Sequence, residues 1–420
     1  MKRMFIKPLV TALASAGLGL ASLSASAVEY SLFDLGSLGG SYARTFATGI
    51  NNSGQVVGYG YQFDPSQNGT SATDDYQAFV TGANGQGLTG LGMFAGDQWS
   101  KAAAINDAGQ VVGTSTNASG TQSAFITSLA NPSLRKLDTV GSSTANAINA
   151  SGQVVGTAGA QAYITAANGG AVSVLDASSF GTVQRIAANG VNAAGQVVGN
   201  YSEFPYSALG KGYVTGPNGS PVNALPGRNV APGNDAWTPQ LNVAAINAEG
   251  QTVGSYLEYG GSAFLKNPDG TDLVLDVTSA PHYVPGNMGG SGQYGPNSSS
   301  LAYGLNARGQ VVGSIVRNGL SRASYAFITG EDGSGLVEVN SLSFVNHSGP
   351  FDFNFTSAMG INDAGDFIVN GSNGHAYLVS VVPEPESIAL LLAGLGVVGI
   401  AGRRQRRNAQ SASPHVTETA

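Results

Sequence analysis

Seven times along the chain the sequence returns to one pattern, A-x-x-[IVL]-N-x-x-G-Q-V-V-G with variation. The copies read ATGINNSGQVVG, AAAINDAGQVVG, ANAINASGQVVG, AANGVNAAGQVVG, VAAINAEGQTVG, AYGLNARGQVVG and AMGINDAGDFIV. Their shared asparagine falls at Asn51, Asn106, Asn149, Asn192, Asn247, Asn306 and Asn362, at intervals of 55, 43, 43, 55, 59 and 56 residues. A period near 50 residues means one supersecondary unit written repeatedly, and it constrains the fold before any single motif is interpreted. In I-N-x-x-G-Q-V-V, Asn and Gly take the first and fourth places of a type I turn. The Asn side chain bonds the backbone ahead, and Gly tolerates positive φ. The flanking Ile and Val favour strands.

Each unit carries a second segment: QAFVT, SAFIT, QAYIT, KGYVT, SAFLK, YAFIT and HAYLV. Asn84-Gly85, Asn168-Gly169, Asn218-Gly219, Asp269-Gly270 and Asp332-Gly333 follow it in five copies, a short-hairpin signal. A third apolar segment comes next, as in Val172-Ser173-Val174-Leu175. Each unit therefore holds four short strands, with tight first-to-second and third-to-fourth turns and variable connections elsewhere. Four strands repeated seven times predict an all-β, seven-bladed β-propeller. A β-helix or open solenoid is the alternative, and the uneven intervals argue against it. The last unit stops after its third strand, while Tyr30 to Leu35 stands unpaired ahead of the first unit. Completing the last blade with that N-terminal strand closes the ring and removes exposed sheet edges. A degenerate eighth blade has room only between Ser207 and Gln240.

Composition agrees. Of 420 residues 61 are Gly, none is Cys, and only 10% are charged. The absence of Cys excludes a disulfide scaffold or a thiolate metal site. Low charge and abundant Gly suit strands buried on both faces and joined by many turns.

The ends are addresses. Lys2, Arg3 and Lys7, an apolar stretch from Leu9 to Leu23, and Ala25-Ser26-Ala27 form a signal peptide over 1–27, with cleavage after Ala27. A retained first transmembrane helix is disfavoured by the short apolar run. The segment 383–407 begins with Pro383, Glu384 and Pro385, continues through apolar residues from Ile388 to Ala401, and ends with Arg403, Arg404, Arg406 and Arg407. The arginines hold that side of the span in the cytoplasm, and the span is short for a permanent helix. The three parts in this order resemble the PEP-CTERM sorting signal of Gram-negative bacteria. The resemblance implies an exosortase partner, transient inner-membrane anchoring by the C-terminal span, removal of the tail, and delivery to the envelope surface or exterior. The tail extension 408–420 departs from the family pattern, and an ordinary tail anchor is the alternative. The repeats themselves, over 28–382, resemble the HAF repeat of extracellular bacterial proteins. That resemblance implies an extracellular setting and no defined activity.

Residues 28–382 hold 11 basic and 22 acidic residues, a net charge near −11. So acidic a body repels phosphate backbones, which argues against a nucleic-acid partner. The long connections, 59–76, 226–240 and 281–300, fall on one edge of the ring, so one face is uniform and the other diverse. Varied loops on a rigid scaffold are where binding concentrates. Trp99, Trp237, Tyr283 and Tyr294 gather there as candidates for stacking sugar rings, the alternative being that they cap blade ends. Asp74 and Asp75 form a weak Ca²⁺ candidate. His282, His347, His375 and His415 lack metal-ligand spacing, and no nucleophile or phosphate-loop motif occurs. No catalytic residue and no cofactor is therefore expected. The sequence favours a non-enzymatic exported protein binding extracellular polysaccharide or matrix. A structural or adhesive envelope protein and an extracellular hydrolase are the alternatives.

Overall fold

The computed structural model describes residues 28–62, 75–128, 131–203, 210–227, 240–257, 261–275, 298–317 and 323–382. These residues form seven four-stranded sheets arranged as a seven-bladed β-propeller. No eighth blade stands among the described residues, and residues 204–209 and 228–239, where the sequence left room for one, lie outside the description. Blades 1 to 6 span 44–90, 97–136, 143–174, 185–224, 241–274 and 298–338. Blade 7 is built from Phe355–Ile361, Phe367–Gly371 and Ala376–Val382, with Glu29–Asp34 as its fourth strand. The N-terminal strand thus closes the ring, one residue earlier than the sequence places it, and Leu35 N–H still reaches Ala376 O at 3.0 Å.

The outer edge of that closing strand is itself covered. Val345 N–H donates to Tyr30 O at 2.8 Å. The Asn346 amide mimics a further strand, accepting from Leu32 N–H at 3.0 Å and donating to Leu32 O at 2.7 Å. A sheet edge that would invite pairing with another chain is blocked in this way.

The Val-Val pair of each repeat has a packing cause. Successive strand residues point to opposite faces. Val56 joins the apolar cluster between blades 7 and 1, and Val57 the one between blades 1 and 2. The same division recurs around the ring, for example Val111 and Val112, or Val197 and Val198. Seven apolar clusters fill the seven blade interfaces, so the core is a ring of interblade layers.

The glycine after Val-Val is a steric requirement. A Cβ on Gly199 would lie 2.0 Å from Ala187 O on the first strand, and on Gly156 1.9 Å from Thr144 O. The aromatic residue of the second repeated segment pairs across from each such glycine, as Tyr213 does with Gly199 and Tyr163 with Gly156. The two tyrosine hydroxyls donate to the same carbonyls, Tyr213 to Ala187 O at 3.0 Å and Tyr163 to Thr144 O at 2.8 Å. Burial pushes both hydroxyls well above the ordinary tyrosine range. In blade 7 the glycine is replaced by Val369, and there the first strand carries an additional bulge between Phe355 and Ser357.

Each first strand bulges at one equivalent place, as between Ala188 and Gly190. Just beyond it stand Gly49, Ala104, Ala147, Gly190, Ala245, Gly304 and Gly360. These small residues let neighbouring first strands approach: a Cβ on Gly190 would sit 3.1 Å from Ala245 Cα.

The type I turn expected at I-N-x-x-G is present, with Gly54 N–H on Asn51 O at 3.0 Å and Gly54 at φ +68°. The Asn-Gly segments are a correction. In four blades they are not two-residue hairpins but 3₁₀ turns, with Asn84, Asn168, Asn218 and Asp332 left-handed. They take this form because they dock onto the first turn of their own blade. Asn84 N–H reaches Ser53 O at 3.1 Å, and Gly85 N–H reaches Gly54 O at 2.9 Å. Asp269-Gly270 in blade 5 is a true turn, closed by Gly270 N–H on Asn267 O at 3.0 Å.

Candidate functional site

The repeated asparagines form a closed circle. Each Nδ2 donates to the backbone carbonyl of the next blade's asparagine, from Asn51 to Asn106 O at 3.0 Å round to Asn362 to Asn51 O at 3.2 Å. The Asn192 Oδ1 accepts from Ala194 and Gln196 N–H at 3.1 and 3.0 Å, and its Nδ2 also donates to Gln196 Oε1 at 2.8 Å. The side chain therefore shapes its own turn and grips its neighbour, leaving no capacity for a ligand. Above the circle lies a cavity of about 240 Å³ edged by Asn52, Asp107 and Asp363. Its carboxylates are already engaged: Asp107 accepts from Asn52 N–H and Nδ2 at 2.9 and 3.0 Å, and Asp363 accepts from Ala307 N–H at 3.0 Å. The uniform edge of the ring is thus chiefly architectural.

The diverse edge carries an aromatic platform. Trp99 opens the first strand of blade 2, and Tyr59, Tyr61 and Tyr76 flank the long connection of blade 1. The Tyr76 and Trp99 rings meet edge to face at 5.8 Å, Tyr59 and Tyr76 at 5.4 Å, and Phe46 stacks on Tyr59 at 5.3 Å. The Lys101 ammonium lies 3.6 Å from the Tyr76 ring centroid, 4.7 Å from Tyr59 and 5.4 Å from Trp99, all within cation–π range. Burial, followed by the neighbouring Tyr76 and Tyr61, pushes the Tyr59 hydroxyl up to about 12. Half-buried rings around one cation bring apolar faces and polar tips together on this edge.

Of the residues expected from sequence, Trp99 is therefore placed among partners that were not foreseen. Trp237, Tyr283 and Tyr294 lie outside the described residues. Tyr59, Tyr61, Tyr76 and Lys101 were missed. Their signal was alternation: Tyr59 and Tyr61 share a face, Tyr61 pairs with Tyr76, and Trp99 and Lys101 stand two apart on one strand. Asp74 also lies outside the description, while Asp75 Oδ1 accepts from Tyr42 Oη at 3.0 Å. That contact helps raise the Tyr42 hydroxyl, after desolvation. Among the described residues no group of three or more His, Asp or Glu is placed to hold a metal ion. His375 Nδ1 sits 2.8 Å from Asp34 Oδ2 across the ring closure, and His347 stacks on Phe351 at 3.9 Å. His282 and His415, Ala27, and the sorting residues Pro383, Glu384, Pro385, Arg403, Arg404, Arg406 and Arg407 fall outside the described residues. So does the apolar span from Ile388, and no described helix is long and apolar enough to cross a membrane.

Residues 381–407 match the PEP-CTERM protein-sorting motif. The motif indicates export and exosortase-dependent sorting to the cell envelope or surface. No curated protein matches the chain. Among solved structures, the chain is similar to a catalytically inactive virginiamycin B lyase from Staphylococcus aureus, with 10% identity and a TM-score of 0.48, covering 84% of this chain and 100% of that one. It is also similar to an oligogalacturonate lyase in complex with manganese, with 9% identity and a TM-score of 0.45 over 84% and 91% of the two chains. The β-propeller domain of the Trilobed protease from Pyrococcus furiosus gives 8% identity and a TM-score of 0.44 over 81% and 98%. Similarity this distant says nothing about activity.

Proposed function

We propose that this exported propeller acts by binding, without catalysis, and that its ligand is an extracellular polysaccharide stacked on the Trp99 platform. The observation that supports this reading is the convergence of Trp99, Tyr76 and Tyr59 around Lys101 on the diverse edge. The rings supply flat apolar area for sugar C–H faces, and the tyrosine hydroxyls and Lys101 supply polar contacts at its margin. Sorting to the envelope or surface brings such a site to the polymer outside the cell.

Retention on immobilised exopolysaccharide from the producing cell tests the reading. The exported protein should be retained, and Trp99→Ala combined with Tyr76→Ala should lower retention at least tenfold, taking the about 1–3 kcal/mol of stacking a nucleobase on one aromatic ring as the scale. Equal retention of the variant, or none by the natural chain, would sink it.

A further inference from the structure

Blade 5 breaks the repeat at two facing positions. Where the second repeated segments of five other blades close with Thr81, Thr127, Thr165, Thr215 and Thr329, blade 5 has Lys266. Where the other blades have Val or Phe two residues after the turn glycine, blade 5 has Thr252. The two substitutions are directly paired in the sheet, and Lys266 pairs in turn with Asp272 on the fourth strand. The threonines of the regular blades close their own hydrogen bonds: Thr215 Oγ1 accepts from Val197 N–H at 2.8 Å and donates to Gly216 O at 2.7 Å. Blade 5 lacks that arrangement.

Lys266 is only 3% exposed, and its Nζ lies 3.7 Å from Asp272 Oδ2, an ion pair longer than a hydrogen bond. Asp272 Oδ2 already accepts from the Tyr256 hydroxyl. The Lys266 ammonium is held by this long ion pair, and the buried Thr252 Oγ1 beside it has no hydrogen-bond partner. A nearly buried ammonium and an unpartnered buried hydroxyl both gain from further polar contacts. Both residues line a groove of about 460 Å³ between blades 4 and 5, walled also by Asn223, Pro226, Glu249 and Pro268.

We propose that this groove is a second binding site, for a neutral sugar ring whose hydroxyl oxygens accept from Lys266. Charge selects the class. Asp272 beside the ammonium, with Glu249 and Asp269 at the groove, leaves a net negative surrounding that repels an anion. An uncharged polyol meets both needs, donating to the carboxylates while accepting from the lysine. Pro226 and Pro268 offer the apolar contact its ring requires. The groove is bounded by the tight turns of blades 4 and 5, on the edge opposite the Trp99 platform, so this site stands independently of the reading given there.

Titration of the exported full chain with D-glucose, D-galactose, D-mannose, N-acetyl-D-glucosamine and D-glucuronate, followed by saturation-transfer NMR, tests it. Dextran, carrying the same ring in a polymer, separates a free sugar from a chain unit as the ligand source. At least one neutral sugar should bind, more tightly than D-glucuronate. Lys266→Thr, which restores the residue of five other blades, should weaken that binding about tenfold, as expected for losing a hydrogen bond from a charged donor. Lys266→Met keeps the buried stem and should do the same, which covers the case of a misfolded threonine variant. The titrations are made in a Trp99→Ala background, which removes the platform, so that the binding read is that of this groove. The proposal falls if no neutral sugar binds, if D-glucuronate binds more tightly, or if both lysine variants bind as well as their Trp99→Ala parent.

Discussion

Replacing Asn192 by Ala tests whether the asparagine circle holds the ring. The side chain is 4% exposed and makes four hydrogen bonds: two accepted from Ala194 and Gln196 N–H, two donated to Gln196 Oε1 and Asn247 O. Alanine strands the two N–H groups, whereas the Asn247 carbonyl keeps its bond from Gly250 N–H at 3.1 Å. Ala194 is exposed and Gln196 half-buried, so water reaches the freed N–H groups and each of the four lost bonds costs about 0.5–1.5 kcal/mol. The sum is about 2–6 kcal/mol, a large share of the stability of an ordinary domain. Asn192→Asp makes the sharper comparison. It keeps both acceptor bonds but turns a carboxylate oxygen toward Asn247 O and Gln196 Oε1, where Asn192 had donated at 3.1 and 2.8 Å. At neutral pH it should be no more stable than the alanine variant, and it should recover as acid protonates the new carboxyl. Urea unfolding followed by intrinsic fluorescence reads both. A cost below about 1 kcal/mol for alanine, or an aspartate variant clearly more stable than alanine at pH 7, would refute the reasoning.

Two further perturbations follow from the blade interior. Gly199→Ala should destabilise by about 3 kcal/mol or more, because its Cβ would stand 2.0 Å from Ala187 O, whereas Gly87→Ala, with nothing within 4 Å and φ +66°, should cost about 1 kcal/mol of backbone strain alone; the urea midpoints of the two variants decide it. Burial raises the Tyr163 and Tyr213 hydroxyls above 10 in the folded protein, so their contribution is complete below pH 10 and is lost as pH rises past it, when only the unfolded chain releases the protons. The urea midpoint should therefore fall between pH 9.5 and 11.5, and Tyr163→Phe with Tyr213→Phe should flatten that fall; an equal slope in the variant would contradict the assignment.

Much of the fold was legible because it is written in local chemistry that repeats. Asn at the first place of a turn, Gly at the fourth and β-branched neighbours specify a hairpin without knowledge of anything distant. Seven copies, together with the unpaired N-terminal strand and the short last unit, then specify a closed ring. The Asn-Gly segments were misread for the converse reason. Asn84 answers to the turn at Ser53 and Gly54, a contact across the blade that no short window contains.

The sequence by itself determined the repeat count, the strand order, the closure and the C-terminal sorting motif, because turn propensity, strand propensity and short motifs act over a few residues. The tertiary structure decided what the repeated letters are for. It made the asparagines a continuous circle, the glycines the sites where a carbonyl of the neighbouring strand passes, and Val-Val the two sides of one blade. It also decided which departures from the repeat come together: Trp99 and Lys101 of one blade with Tyr59 and Tyr76 of the previous one, and Thr252 with Lys266 and Asp272. Those meetings depend on sheet register and on the approach of neighbouring blades, so they exist only once the ring is closed.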